Sequence, residues 1–74
     1  MMQLLKRGFT ERQLLEIIYI SSKQKITHRT IIIYRIDDTS IQAYCYLRKQ
    51  KRTFLIENIL SVSPHHKKVS KNIG

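Results

Sequence analysis

Tryptophan is absent from this sequence, cysteine and proline occur once each, and glycine occurs only twice. One cysteine, Cys45, excludes an intramolecular disulfide framework. Its place inside an apolar run predicts a buried, reduced thiol, and with it a cytoplasmic setting. No apolar run approaches the ~20 residues that cross a bilayer, so no membrane partner is expected. The start, Met1-Met2-Gln3-Leu4-Leu5-Lys6-Arg7, lacks the apolar stretch and small-residue cleavage site of a secretory signal. A glycine-rich phosphate loop is missing as well. The five acids, Glu11, Glu16, Asp37, Asp38 and Glu57, form no recognisable set with serine and histidine. Asp37-Asp38 reads as turn chemistry, in which the carboxylate bonds its own backbone. His65-His66 lacks cysteine or acid ligands at metal-binding spacing, and His28 stands alone. The expectation is a binding module, not an enzyme, with no cofactor and no metal.

The 74 residues make one domain at most. A domain of this size buries about 60–65% of the surface its unfolded chain exposes, which leaves a thin core and no deep cleft.

What the sequence has in excess is positive charge. Fourteen Lys and Arg oppose five Asp and Glu, for a net charge of +9. The excess grows along the chain. Residues 1–42 carry seven basic and four acidic side chains, whereas residues 43–74 carry seven basic and one acidic. A field of this sign concentrates phosphate- or carboxylate-bearing partners.

Isoleucine, valine, threonine and tyrosine dominate the rest, and these suit a pleated surface. Met2 to Phe9 reads as a short helix, with Met2, Leu5 and Phe9 on one face, Leu4 beside them and Gly8 weakening its end. Thr10-Glu11-Arg12-Gln13 fits a capping box that would start a second helix. The β-favouring cluster Ile17-Ile18-Tyr19-Ile20 argues instead for a strand over Leu14 to Ile20, and that reading is preferred. Further strands are expected over Ile26 to Ile36, Ile41 to Leu47, Arg52 to Ile56 and Ile59 to Val62. Polar clusters at Ser21–Lys25, Asp37–Ser40 and Arg48–Lys51 supply the turns. Residues 1–63 form the domain, and residues 64–74 form a basic tail, expected to be mobile. One helix followed by five short antiparallel strands is a mainly β architecture, a small barrel or rolled sheet.

The most informative stretch is Ile41 to Arg48. Alternate residues of a strand share a face. Ile41, Ala43, Cys45 and Leu47 make an apolar face suited to a core. Gln42, Tyr44, Tyr46 and Arg48 make a face with two aromatic rings and a guanidinium, groups able to stack bases and pair with phosphate. Arg52 and Phe54 share a face of the next strand, and pairing through the Arg48–Lys51 turn is expected to bring Arg52 near Tyr46 and Arg48.

The run Ala43-Tyr44-Cys45-x-Leu47-Arg48-x-x-x-Arg52-Thr53-Phe54-x-Ile56-x-x-Ile59 resembles the second half of a WYL domain. Ile17-Ile18-Tyr19, a polar turn and Arg29-Thr30-Ile31 fit the first half, so the resemblance spans Leu4 to Val62. It implies a five-stranded, Sm-like, SH3-type barrel. It also implies a module of bacterial regulators that senses a ligand, often a nucleic acid or nucleotide, and sometimes mediates oligomerisation. Tyr19, Arg29, Tyr44, Arg48, Arg52 and Phe54 match family-typical positions, with the arginines as ligand contacts. Tyr46 joins them from strand parity alone. Three positions depart from the pattern: Thr39-Ser40-Ile41 stands where the naming Trp-Tyr-Leu falls, Ile33 replaces a proline, and Asn58 replaces a basic residue. A helix-turn-helix domain usually precedes a WYL domain, and these 74 residues leave no room for one. The expected partners are nucleic acid or nucleotide. The alternative is a protein-interaction module that pairs with a second copy or a separate regulator.

Overall fold

The structure is a computed structural model that describes residues 1–65. The expected basic tail therefore lies almost wholly outside the described residues, as does His66. Helix α1 spans Met2–Glu11. Strands β1 (Leu15–Ile20), β2 (Ile26–Ile36), β3 (Ser40–Cys45), β4 (Gln50–Leu55) and β5 (Ile59–Pro64) follow, with a 3₁₀ turn at Ile56–Asn58 before β5. All five strands pair antiparallel in one sheet of order β4-β3-β2-β1-β5. The mainly β fold read from the sequence is thus the fold observed. The sheet is open, because β4 and β5 are its edges among the described residues.

The sheet nonetheless curls. β1 and β4 are separated by two intervening strands, so in a flat sheet they would lie roughly 14 Å apart. Here the Tyr19 ring of β1 meets the Phe54 ring of β4 edge-on, with centroids 4.9 Å apart. The backbone N–H of Leu55 donates to the Tyr19 hydroxyl at 3.2 Å. Only a rolled sheet brings them together. Two register irregularities assist the bend, one between Ile18 and Tyr19 against β5 and one between Ile33 and Arg35 against β3. Bulges of this kind raise local twist.

The concave side holds the core. Leu15, Ile17, Ile31, Ile33, Ile41, Ala43 and Cys45 are fully buried there, and Phe54 and Ile59 nearly so. α1 adds Leu5 and packs against β2 and β5. Gly8 faces Leu15 so closely that an added Cβ would lie 2.6 Å from Leu15 Cδ1 and 2.9 Å from Cγ.

Several expected boundaries move. The helix runs past Phe9 to Glu11, because Gly8 is needed inside it for the approach to Leu15. The Thr10–Gln13 segment ends this helix instead of starting another. Arg12 takes a left-handed φ of 54°, and the Gln13 amide bonds back to the Gly8 carbonyl at 3.0 Å, a common helix stop. β3 ends at Cys45, two residues early, and the turn falls on residues 46–49 with Lys49 at φ 56°. Leu47, expected in the core, is 59% exposed as a result. β5 continues through Pro64, and the His65 amide still donates to the Leu14 carbonyl. A proline fits there because β5 is an edge strand.

Candidate ligand-binding site

The seven expected site residues divide between the two sides of the sheet. Register decides the division, since directly paired residues of antiparallel strands share a face. Tyr44 pairs with Ile32 and Lys51, and so lies on the outer face. Arg52 pairs with the buried Ala43, and Phe54 with the buried Ile41, so both face inward. Tyr19 and Arg29 belong to the inner face by the same rule, Arg29 through its pair with the buried Ile17. The expected grouping of Arg52 with Tyr46 and Arg48 is therefore not the one formed. The turn begins two residues earlier than read, and Lys51 takes the place beside Tyr44.

The inner group is built around Arg29. Its side chain belongs to a residue that is 8% exposed, yet its contacts include no carboxylate among the described residues. Nε donates to Thr27 Oγ1 at 3.1 Å and Nη1 to Cys45 Sγ at 3.3 Å. The Thr27 hydroxyl in turn donates to the Tyr19 carbonyl at 3.4 Å, which holds it as an acceptor for Arg29. The guanidinium carbon sits 5.9 Å from the Phe54 ring centroid, a cation–π contact. A guanidinium carries five N–H donors. Two have partners here, and three have none among the described residues. Taking such a charge out of water costs several kcal/mol unless an anion compensates it.

Cys45 is the nearest group able to carry negative charge. Burial pushes its thiol pKa up, but the Arg48 amide, the Arg29 guanidinium and the Leu47 amide outweigh burial, and the thiol is held below its ordinary value. Arg48, expected as a ligand contact through its side chain, thus touches this group through its backbone while the side chain is exposed.

The outer group is different. Tyr44 and Tyr46 meet edge-to-face at 4.9 Å, and Lys51 Nζ lies 5.2 Å from the Tyr34 ring centroid. Tyr34 was not singled out from the sequence. The run Ile31-Ile32-Ile33-Tyr34 is apolar on both faces, and the bulge that follows hides its parity. Farther along the outer side, Glu16 accepts from His28 Nε2 at 3.0 Å and is joined to His65 Nδ1 at 2.5 Å. Those bonds, His65 first and His28 second, outweigh desolvation and hold the Glu16 pKa below 4.5. No group of three or more His, Cys, Asp or Glu among the described residues is placed to hold a metal ion.

Two clefts lie beside the turn at Asp38 and Thr39. One is lined by Met2, Lys6, Ile36, Asp37, Asp38 and Thr39, the other by Asp38, Thr39, Leu55, Ile56 and Glu57. Their acids give them the wrong sign for an anionic ligand. No helix among the described residues is long and apolar enough to cross a membrane.

No family model matches the sequence, and no curated protein matches it. Among solved structures, proteasome accessory factor B/C (PafBC) of Arthrobacter aurescens is similar, with a TM-score of 0.75 and 24% identity. The likeness covers 93% of this chain and 12% of that one, so the chain spans about an eighth of the protein it matches. It shows that the helix and curled five-stranded sheet found here recur as one segment of that longer protein, the WYL-like fold that the sequence resemblance implies.

Proposed function

We propose that this chain is a WYL-like ligand-binding module of a regulator or regulator accessory. It binds rather than catalyses. The ligand presents a phosphate to the inner face, where Arg29 and Arg52 supply charge and Tyr19 and Phe54 supply aromatic walls. A nucleotide or a nucleic-acid end has this chemistry. The observation that carries the reading is the buried Arg29, which has three uncommitted donors and no carboxylate partner among the described residues. Its two protein acceptors fix the guanidinium plane, which is what bidentate recognition of a phosphate requires. Arg52 lies on the same face, two residues from Phe54, and adds a second positive charge.

Calorimetric titration of mononucleotides and short oligonucleotides tests this at low and moderate salt. Binding is expected to weaken with salt, because phosphate contacts release counterions. Arg29→Gln and Arg52→Ala should each weaken it at least about tenfold, as loss of a charge-assisted hydrogen bond implies. Wild-type affinity in both variants would sink the site.

The open edges β4 and β5 favour a second reading, in which another chain adds to the sheet. Light scattering over a concentration series decides it, since a strict monomer at all concentrations contradicts self-pairing.

A further inference from the structure

Cys45 is a nucleophile to which the proposed ligand site gives no role. It is the only cysteine in the sequence, so no second thiol of this chain can pair with it. Its surroundings differ from those of an inert core thiol. Arg29 Nη1 donates to Sγ at 3.3 Å, and the Arg48 and Leu47 amides also favour negative charge there. No carboxylate contacts either side chain among the described residues. The guanidinium belongs to a residue only 8% exposed, and three of its N–H groups lack partners among the described residues. Sulfur is a weak acceptor for such donors. An anionic oxygen carried on that sulfur is a strong one, because charge-assisted hydrogen bonds are shorter and stronger.

Burial selects the oxidant. Cys45 is fully buried, yet the chain reaches water at once, since residues 46–50 are all exposed. Local opening of that hairpin end admits a small molecule, whereas a bulky disulfide needs the sulfur wholly uncovered. We propose that Cys45 is a modification site, oxidised by a small hydroperoxide to a sulfenate that Arg29 holds. In the step the thiolate attacks a peroxide oxygen. The S–O bond forms as the O–O bond breaks, and sulfur gives up an electron pair that the peroxide gains. With hydrogen peroxide, the departing hydroxide takes the sulfenic proton and leaves as water. The sulfenate oxygen then occupies Arg29 donors that a phosphate would use. This last consequence rests on the proposed ligand site, whereas the oxidation stands apart from it.

The test treats the full, reduced chain with hydrogen peroxide, traps sulfenate with dimedone and reads the adduct by intact mass over time. A single adduct should form in wild type and none in Cys45→Ser. The rate should rise with pH about a midpoint below 9.0, the ordinary thiol value. Arg29→Gln should slow the reaction about threefold. Loss of a charge-assisted hydrogen bond lowers the thiolate fraction about tenfold, and the more basic thiolate recovers about half of that on a logarithmic scale. Arg29→Lys keeps a cation and should fall between the two. The pH midpoint is read on wild type, so the test holds even where Arg29→Gln fails to fold. Oxidised wild type should bind nucleotide about tenfold more weakly than reduced wild type, as Arg29→Gln does, and peroxide should leave the affinity of Cys45→Ser unchanged. No adduct in the folded chain, where the urea-unfolded chain forms one, overturns the proposal. So does a midpoint at or above 9.0, or a rate in folded Arg29→Gln equal to or above wild type. Nucleotide affinity that oxidation leaves unchanged overturns the hold of Arg29 on the sulfenate. An adduct that forms as described in a chain that binds no nucleotide supports the modification site and sinks the phosphate reading. Nucleotide binding without an adduct does the reverse.

Discussion

The inner and outer faces of β3 and β4 are made from the same two strands, yet they solve different problems. Inward, Ile41, Ala43, Cys45 and Phe54 are almost wholly removed from water, and two arginines stand among or beside them. Outward, tyrosines and Lys51 cover a single layer on which no helix among the described residues packs. The difference teaches where positive charge carries information. On the outer face a cation is solvated and costs little, so its presence alone says little. On the inner face a guanidinium with two modest acceptors is expensive to keep without a compensating anion, and that cost is what motivates the proposed ligand site.

If the inner face is the structural one, truncation there should be severe. Phe54→Ala removes a ring that contacts both Tyr19 and Arg29, and should cost about 3–5 kcal/mol in urea unfolding. A cost below about 1 kcal/mol, the scale of a surface change, would mean that the sheet does not curl as described. Gly8→Ala comes next. Its Cβ would push on Leu15, a fully buried side chain, and overpacking of this kind costs about 1–3 kcal/mol. Tyr19→Phe sharpens the comparison further. It keeps the ring on Phe54 but deletes the acceptor for the Leu55 amide, and should cost about 1 kcal/mol.

The smallest effect belongs to the outer side. The folded-state pKa of Glu16 is lowered, so its carboxylate contributes stability that is fully present above the ordinary value of 4.5. That contribution is lost as pH falls through the lower folded value. The stability difference between wild type and Glu16→Gln should be flat above pH 4.5 and shrink below it. A difference that grows on acidification would contradict the His28 and His65 bonds.

The sequence made the inner face legible where alternation was strict. Ile41, Ala43 and Cys45 follow period two and are buried as read. Ile26 to Ile36 is one strand as expected, since turn chemistry bounds it on both sides. The reading failed where a boundary depended on a backbone conformation that residue type does not announce. The turn falls early, with Lys49 at positive φ, which exposes Leu47 and pairs Arg52 with Ala43 on the inner face instead of bringing it near Tyr46 and Arg48. Gly8 looked like a helix stop because its tight neighbour, Leu15, is visible only after folding. The partnership of Arg29 with Cys45 joins residues far apart in sequence, and no local pattern encodes it. The family resemblance named Arg29 as a ligand contact but not the burial that makes the case.

The most direct test of the central claim is Arg29→Met, measured for both stability and phosphate-ligand binding. Methionine is an unbranched apolar side chain without charge, and it removes the cost of keeping a guanidinium out of water with no ion partner. The account predicts a thermal midpoint equal to or above wild type, with nucleotide binding lost. A variant that is strongly destabilised yet still binds the nucleotide as wild type does would show that Arg29 serves the fold and not a ligand.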